Sequence, residues 1–401
     1  MWYNVYLGDR LYLFVRNSYS NNGVQLMRRI PIEYAREGDI LGQTLYNSYG
    51  GMLLRKETLL TDSIISKLKR QGYYSLYIKD KYTDKEIEEI IKPQMRLRIH
   101  QLHEEMQGII REFNDGKKVN INSVNKNIMD LNEIVEEIVN ETILNKDVLL
   151  NLENISIYDD YTLTHSINMM LLSIVIACDS GFNMYQIKKL AIGCIFHDIG
   201  KTFIPIEIIN KPGSLTNEEF EFMKLHSEKG YEFLSNYTDL HAVSRNIALS
   251  HHERDDGLGY PRGLKKDEIH IFSRIAAICD VFDALTSDRP YRRALSVQES
   301  MEYILACGGG QFSIEIIRTF SNSINIYAKD TLVMLNDGRE GLVYETNVGF
   351  NTRPKIKIYG ENGRKVNPYV VDLMENNNLI IERTIHKFSF DIDHSYEDIR
   401  F

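Results

Sequence analysis

The pattern of hydrophobic and polar positions divides the chain into four regions. From 149 to 322, apolar residues recur at helical spacing, apart from one glycine-rich loop at 255–263. Residues 83–148 are also helical in pattern but more polar, whereas 323–401 change to short apolar stretches between turn signals, and 1–82 mix both patterns. We therefore expect a mainly α protein. A helical domain would be preceded by a small mixed α/β domain and a helical linker hairpin, and followed by a small antiparallel, barrel-like β domain.

In the first region the pattern predicts a hairpin, a helix and a strand. The hairpin covers residues 40–54, with the turn signal Ser-Tyr-Gly-Gly at 48–51. Thr61 is a suitable N-cap for a helix that extends through Lys69, and the tyrosine-rich segment 73–78 follows as a strand. This region contains no motif that identifies what it senses or binds.

Two helices are predicted in the second region. Thr83 and Glu86 form a capping box, and Pro93 should end or kink the helix that they start. The later helix carries one apolar stripe, formed by Ile128, Leu131, Ile134, Val135, Ile138 and Val139. The stripe permits two interpretations: a hairpin packed on its neighbour, or an element for homodimerisation or signal relay.

Five short strands are predicted in the last region. They lie at 332–335, 341–346, 355–359, 369–373 and 379–385. Asn336-Asp337-Gly338 is a turn signal between the first two. Because this region contains no obvious chemistry, we expect an accessory packing role for it.

Charge and cysteine content narrow the classes of partner and compartment. The 401 residues include 47 basic and 56 acidic side chains, a net charge of −9, so a generally basic surface for polymeric nucleic acid is not expected. A small anionic ligand could still bind where cations are concentrated. No CxxC pair occurs, and free thiols in a reducing compartment are expected for the four cysteines: Cys178, Cys194, Cys279 and Cys307.

The apolar runs are too short for a membrane protein. The longest, Met169–Cys178, has ten residues, whereas a helix needs ~20 to span a bilayer. Asp9 and Arg10 stand where a signal peptide would need its apolar core. We therefore expect a cytoplasmic protein that has no membrane partner.

The candidate chemistry lies in the third region, where histidines and aspartates occur on mostly apolar backgrounds. There are seven of them: His165, His197, Asp198, His226, His251, His252 and Asp280. One such residue would more often be a hydrogen-bonded core group, but seven would each need a separate buried partner. Imidazole and carboxylate ligands suit Fe, Mn, Ni or Zn. Seven ligands exceed what one ion takes, so the set favours two ions bridged by a carboxylate.

Two further segments could contact a substrate. Gly257–Leu264 contains three glycines and Pro261, which makes a constrained loop soon after two candidate ligands. Tyr260 offers this loop a flat face and a hydroxyl. Arg289 and Arg292 are three residues apart, and their guanidinium groups match phosphate oxygens. For the loop, the simpler alternative is a helix-to-helix turn. For the two arginines, it is a solvated surface run.

Together these segments resemble the HD-GYP family, a branch of the HD-domain metal phosphohydrolases. The matching residues, in chain order, are Asp160-Tyr-Thr with His165-Ser, His197-Asp-Ile-Gly-Lys201, Lys224 with His226 and Gly230, His251-His-Glu-Arg with Gly257-Leu-Gly-Tyr-Pro and Gly263-Leu, and Ile278-Cys-Asp-Val-Phe-Asp-Ala-Leu-Thr-Ser-Asp-Arg-Pro-Tyr-Arg292. They cover well under half of the chain, but their order and spacing are specific.

The resemblance implies a function and a role for each matching residue. The family hydrolyses cyclic di-GMP, and some members hydrolyse other cyclic dinucleotides. One ion would be held by His165, His197, Asp198 and Asp280. Asp198 would bridge to a second ion, held also by His226, His251 and His252. Lys201 would contact the scissile phosphate or protonate the leaving oxygen. Phosphates would be bound by Arg289 and Arg292, and the substrate pocket would be lined by Gly257, Gly259, Tyr260 and Pro261.

Two positions depart from the family pattern. Where some members carry a Glu that supports a third metal, this chain has Tyr161, so we expect two divalent ions. Fe or Mn is the leading expectation, with Ni, Zn or Mg as alternatives. The family usually has Gly-Gln-Phe-Asp near the end of the domain, whereas this chain has Ser313 in place of the Asp, which puts a supporting contact in doubt.

The expected activity is hydrolysis of cyclic di-GMP to linear pGpG, with further cleavage to GMP as an extension. Two alternatives from other classes stay open. One is a non-catalytic cyclic di-GMP receptor that signals through the helical region. The other is an HD phosphohydrolase that acts on another cyclic dinucleotide, such as a mixed GMP–AMP ring, or on a linear nucleotide.

Overall fold

The computed structural model describes residues 5–7, 10–12, 27–46, 52–71, 73, 75–79, 93–144, 161–287, 295–327, 329–347 and 350–391. These residues confirm the predicted fold class, a mainly helical protein with small antiparallel sheets towards both ends. The turn signal at 48–51 and the capping box of Thr83 and Glu86 lie outside the described residues. Arg289 and Arg292 also lie outside them.

The N-terminal region consists of antiparallel strand pairs and one helix. Its elements are β1 (Val5–Leu7), β2 (Arg10–Tyr12), β3 (Met27–Pro31), β4 (Leu45–Tyr46), β5 (Met52–Leu54), α1 (Asp62–Arg70) and β6 (Ser75–Lys79). The β4–β5 pairing confirms the predicted hairpin, and β6 confirms the predicted strand. The Thr61 side chain accepts a hydrogen bond from the Ile64 amide, which confirms the predicted start of α1. The partner of β6 is β3, which the sequence pattern did not predict.

The second region is a helical hairpin packed on its neighbour. Helices α2 (Pro93–Asn114) and α3 (Ile121–Leu144) bury the predicted apolar stripe in the same core as the helices that follow. At the end of α2, the Phe113 ring lies 6.4 Å from that of Phe203, and Asn114 Nδ2 donates to the Thr202 carbonyl oxygen at 3.4 Å. The hairpin therefore contacts the segment that directly follows the His197-Asp198 pair.

The third region supplies the helices that position the candidate site. They are α4 (Tyr161–Asp179), α5 (Met184–Ile195), α6 (Ile206–Ile209), α7 (Asn217–Tyr237), α8 (Ala242–Ser250), α9 (Ile271–Thr286), α10 (Val297–Ala306) and α11 (Ile314–Ser323). The Thr216–Glu219 box at the start of α7 has both of its hydrogen bonds, which fixes where this helix begins. A short 3-10 turn, Ile199–Phe203, follows α5. None of the described helices is long and apolar enough to cross a membrane.

Ser313, where the family pattern has Asp, caps α11. Its hydroxyl accepts a hydrogen bond from the Ile316 amide at 3.2 Å. Serine and aspartate are both good N-caps because each offers an oxygen to an amide of the first helical turn. The departure from the family pattern therefore keeps the capping contact.

The last region forms one five-stranded antiparallel sheet in the order β10-β9-β8-β7-β11. The strands are β7 (Leu332–Leu335), β8 (Glu340–Glu345), β9 (Lys355–Glu361), β10 (Arg364–Asp372) and β11 (Ile381–Thr384). All five predicted strands are present, although β10 begins earlier than expected and is interrupted by a register shift between Lys365 and Tyr369. The sheet contacts the helical domain through Asn351, whose Nδ2 donates to the carbonyl oxygens of Ser321 and Ile324.

Candidate metal centre

The seven predicted ligands converge from separate elements of the helical domain. His165 lies on α4, the pair His197-Asp198 follows α5, His226 lies on α7, His251-His252 follow α8, and Asp280 lies on α9. Their ligand atoms form two adjoining groups, within each of which all the atoms lie within 4.8 Å of one another. The first cluster consists of Asp198, His226, His251 and His252. The second cluster consists of His165, His197 and Asp280.

A close backbone approach brings the 3-10 turn after α5 against α7. A Cβ atom at Gly200 would lie 1.9 Å from the His226 carbonyl oxygen and 2.6 Å from the Gly230 nitrogen. Both are backbone atoms that cannot move aside. Only glycine therefore allows the turn that carries Asp198 to approach the helix that carries His226.

Main-chain carbonyls orient three of the histidines. Each ring has its Nδ1 within hydrogen-bond distance of a carbonyl oxygen from the preceding turn: His197 with Cys194 (2.7 Å), His226 with Met223 (2.7 Å) and His251 with Ile247 (3.0 Å). A carbonyl oxygen only accepts, so Nδ1 carries the proton and donates. The Nε2 atom of each ring is left with a lone pair that points into the site.

The lone pairs of the first cluster face one another. His226 Nε2 lies 3.3 Å from His251 Nε2 and 3.4 Å from Asp198 Oδ1. Two acceptors at this distance repel each other unless a cation lies between them. Among the described residues, His197 Nε2 and Asp198 Oδ1 are also buried without a hydrogen-bond partner, which is costly for polar atoms. The arrangement therefore fits a divalent cation.

The Asp198 carboxylate presents one oxygen to each cluster. Its Oδ1 faces His226 and His251 of the first cluster, at 3.4 and 3.8 Å. Its Oδ2 lies 3.1 Å from His197 Nε2 of the second cluster, and Lys201 Nζ donates to the same oxygen at 2.5 Å. This is the geometry that a bridging carboxylate needs.

Side chains rather than carbonyls orient His165. Its Nδ1 lies 2.7 Å from Asp283 Oδ2, and Asn168 Nδ2 donates to Asp283 Oδ1 at 2.7 Å. Its Nε2 faces Asp280 Oδ1 at 3.1 Å. Asp283 was not among the predicted functional residues. Its position three residues after Asp280, on the same face of α9, was the available signal.

Burial and charge shift the pKa of His165 in the opposite direction from those of His251 and His252. Burial lowers the pKa of His251 well below its usual value, and the neighbouring histidines lower it further. Burial likewise lowers the pKa of His252 to about 3. Both rings are therefore neutral at pH 7, the form in which imidazole binds metal. Burial also disfavours charge on His165, but hydrogen bonds to Asp280 and Asp283 outweigh it and raise the pKa of His165 to about 10.

The glycine-rich loop folds back over the first cluster. A Cβ atom at Gly259 would lie 2.5 Å from both the Arg254 nitrogen and the His252 carbonyl oxygen, so this close approach requires glycine. Glu253, which is only 3% exposed, accepts hydrogen bonds from the amides of Arg262 (2.8 Å) and Leu264 (2.9 Å). The sequence pattern gives Glu253 no role of its own, because its contacts are made with residues nine and eleven positions later.

Tyr260 places an aromatic hydroxyl side chain next to the ligands. Its ring centroid lies 4.6 Å from that of His252, and a cis peptide bond joins Tyr260 to Pro261. Burial, and then the charges of Asp198 and Asp280, raise the pKa of Tyr260 above its usual value. Its hydroxyl therefore stays protonated and can donate a hydrogen bond. The predicted substrate loop, with Gly257, Gly259, Tyr260 and Pro261, thus lies beside the first cluster.

Two segments of the chain match known family models. Residues 150–312 match the family model of the HD domain, and residues 332–390 match that of the KOW domain associated with HD domain. Residues 150–312 are therefore similar to HD domains. The resemblance predicted from the sequence is therefore confirmed, and all seven candidate ligands lie within the matched segment. An HD domain implies divalent metal binding, in agreement with the two ligand clusters.

Two curated relatives extend the match beyond the HD domain. A cyclic di-GMP phosphodiesterase of Pseudomonas aeruginosa is 34% identical over 227 residues, which cover 57% of this chain and 55% of that protein. A cyclic di-GMP phosphodiesterase of Thermotoga maritima is 36% identical over 216 residues, covering 52% of this chain and 58% of that protein. The chain thus spans little more than half the length of these relatives.

Among solved structures, Bd1817, a HDG"Y"P protein from Bdellovibrio bacteriovorus, aligns with a TM-score of 0.48 and 17% identity. The alignment covers 73% of this chain and 98% of that chain.

Proposed function

We propose that this protein is a metal-dependent phosphodiesterase that hydrolyses a cyclic dinucleotide, with cyclic di-GMP as the first candidate substrate. The observation that carries the proposal is the complete ligand set. Four histidines and aspartates form the first cluster and three form the second, with Asp198 presenting one oxygen to each. The names of the two curated relatives support the choice of substrate.

In this proposal the centre holds two divalent ions, with Fe or Mn the leading choice. The first cluster supplies three imidazoles and the second supplies two, and each cluster has a carboxylate, a donor set that such borderline first-row ions accept. Bound there, the ions would supply Lewis-acid activation of water and neutralisation of the phosphodiester charge.

The remaining groups would bind and orient the substrate. The Lys201 ammonium lies 2.5 Å from Asp198 Oδ2, the oxygen that faces the second cluster, where it could donate a proton towards a leaving oxygen. The protonated hydroxyl of Tyr260 is a second donor on the loop side. Arg289 and Arg292 are proposed as phosphate contacts from the family resemblance. The product would be linear pGpG, with GMP as the product of a further cut.

The test combines metal analysis with turnover in the Asp198→Ala variant. Because Asp198 serves both clusters, we expect the variant to lose bound metal and at least ~10³-fold in the rate of cyclic di-GMP hydrolysis. Metal content and product are measured on freshly purified protein and on Fe- or Mn-loaded protein under reducing conditions. Asp115→Ala, at an exposed position after α2, is the matched control.

Three results would contradict the proposal. Full activity in Asp198→Ala would exclude the shared carboxylate. Wild-type protein that loads metal and binds cyclic di-GMP without forming product would instead be a receptor. Hydrolysis of a different cyclic or linear nucleotide, with cyclic di-GMP left intact, would move the protein to another substrate class.

A further inference from the structure

An exposed aromatic ring and a lysine on α7 lie next to the glycine-rich loop. Phe220 is 45% exposed, and its ring centroid lies 6.4 Å from that of Tyr260, at an interplanar angle of 82°. Lys224 Nζ lies 4.9 Å from the Phe220 centroid and 5.7 Å from the Tyr260 centroid. Neither Phe220 nor Lys224 has a role in the chemistry proposed above.

The helix places this pair directly beside the metal centre. Phe220 and Lys224 are four residues apart, so they share one face of α7. Two residues after Lys224 comes His226 of the first cluster, whose ring lies 6.3 Å from Tyr260. The rings therefore follow one another outwards from the ligands, from His252 to Tyr260 to Phe220.

Lys224 is held over the ring by an ion pair. Glu221 Oε1 accepts from Lys224 Nζ at 2.6 Å, and the Glu221 side chain is 69% exposed. An exposed ion pair of this kind is weak and can exchange for another acceptor. Lys224 therefore has an ammonium that can turn to a ligand lying on the Phe220 ring.

We propose that Phe220 and Lys224, together with Tyr260, form the binding site for one nucleobase of the cyclic dinucleotide. An exposed aromatic face stacks on a base, and an ammonium group donates to the O6 and N7 acceptors of guanine. Adenine has an amino group in place of O6, so Lys224 favours guanine. This inference rests on the proposed function and names the residues that set affinity and base preference rather than the rate of the chemical step.

The test of the stacking role is Phe220→Ala, with Phe222→Ala as the matched control. Phe222 is on the same helix and is 48% exposed, close to the 45% of Phe220. We expect Phe220→Ala to raise KM for cyclic di-GMP about tenfold, from the usual loss of one base–aromatic stack. kcat should stay near the wild-type value, and Phe222→Ala should leave both constants unchanged.

Conservative variants separate stacking from apolar contact. Phe220→Trp keeps a flat face and should retain affinity, whereas Phe220→Leu keeps an apolar side chain and should weaken binding as Phe220→Ala does. Circular dichroism and melting curves check that each variant folds. Equal KM values for the Phe220→Ala, Phe222→Ala and wild-type proteins would overturn the inference.

The test of base preference is Lys224→Gln, with Lys229→Gln as control. Lys229 also lies on α7 and pairs with an exposed glutamate, Glu232. We expect the affinity ratio of cyclic di-GMP to cyclic di-AMP to fall about tenfold in Lys224→Gln, the usual scale for one base-edge contact. An unchanged ratio would overturn the role of Lys224.

Binding is measured by calorimetry with phosphorothioate analogues of cyclic di-GMP and cyclic di-AMP, which resist hydrolysis. This separates the inference from the function on which it rests. If the wild-type protein binds the analogues but forms no product from cyclic di-GMP, the proposed activity fails while the base site is still tested by the variants. If turnover is normal and the variants bind as the wild type does, only the base site fails.

Discussion

The two ligand clusters use the same residue types, but His165 of the second cluster is held differently from His226 and His251 of the first. In the first cluster, His226 and His251 each bond through Nδ1 to a carbonyl oxygen of the preceding helical turn. In the second cluster, His165 bonds through Nδ1 to Asp283, which lies 118 residues away on another helix. His226 and His251 are therefore oriented locally by the main chain, as is His197 of the second cluster through the Cys194 carbonyl. His165 is instead oriented by a tertiary contact between side chains.

The difference has consequences for metal binding. A carbonyl oxygen is present at every helical turn whatever the sequence, so the orientation of His226 and His251 does not depend on a second side chain. A carboxylate partner such as Asp283 also increases the basicity of the ligand imidazole. The pKa of His165 is raised to about 10 because its hydrogen bonds to Asp280 and Asp283 outweigh burial, whereas burial lowers the pKa of His251.

Among the changes that test how the histidines are held, Gly200→Ala should reduce the hydrolysis rate most, because it disturbs the contact that assembles the first cluster. The added methyl group would overlap the His226 carbonyl oxygen, which lies 1.9 Å from the ideal Cβ position. Separating the turn from α7 by ~1 Å should cost about 100-fold in hydrolysis rate, and the first cluster should lose its ion first. Metal content and turnover measure both effects.

Gly108→Ala is the control for this change. Gly108 lies within α2, and a Cβ atom there would meet no other atom within 4 Å. This variant should keep its metal and its activity, and its free energy of unfolding should rise by up to about 1 kcal/mol because alanine is a better helix former than glycine. Normal metal content in Gly200→Ala would show that the first cluster tolerates separation of α7 from the turn.

Asp283→Asn acts on the second cluster alone. Asparagine keeps the shape of the side chain but removes its charge, so His165 loses the partner that increases its basicity. Loss of such an outer partner typically weakens metal affinity ~10–100-fold, and the first cluster should keep its affinity. Competition with a chelator of known affinity measures the two binding steps.

Asp267→Asn is the matched control, because Asp267 is fully exposed and pairs only with Arg274 among the contacts described for its side chain. It should change neither binding step. If Asp283→Asn weakened both steps equally, the two clusters would not be independently oriented.

The same contrast explains what the sequence could and could not predict. The seven candidate ligands were identifiable because polar residues stood on apolar helical backgrounds, which is a local property. The cap of α1 at Thr61 and the five C-terminal strands were also local patterns, and the structure confirms them.

What was missed depends on contacts distant in sequence. Asp283 matters because α9 packs against α4, and Glu253 matters because the loop returns to it. The strand β3 was not predicted because its partner, β6, lies more than forty residues later along the chain. The register shift in β10 is set by its pairing with β9, so the sequence pattern gave too late a start for this strand.

Changes at Ser313 should have the smallest effect. They act on the helix that packs against the elements carrying His165 and Asp280 of the second cluster. Ser313 caps α11, which packs against α4 and α9, the helices that carry His165 and Asp280. Phe320 of α11 contacts Phe282 of α9, with ring centroids 5.0 Å apart. A weaker cap should therefore loosen the backing of the second cluster before it affects the first.

Ser313→Ala should lower the free energy of unfolding by about 1 kcal/mol, the usual cost of losing an N-cap side chain. Ser313→Asp, which restores the family residue, should leave stability unchanged because its carboxylate accepts the same Ile316 amide hydrogen bond. Urea unfolding of both variants measures the difference, with turnover and metal content expected to stay at wild-type values. A loss of metal from Ser313→Ala that Ser313→Asp reverses would show that the second cluster depends on the cap of α11 as well as on Asp283.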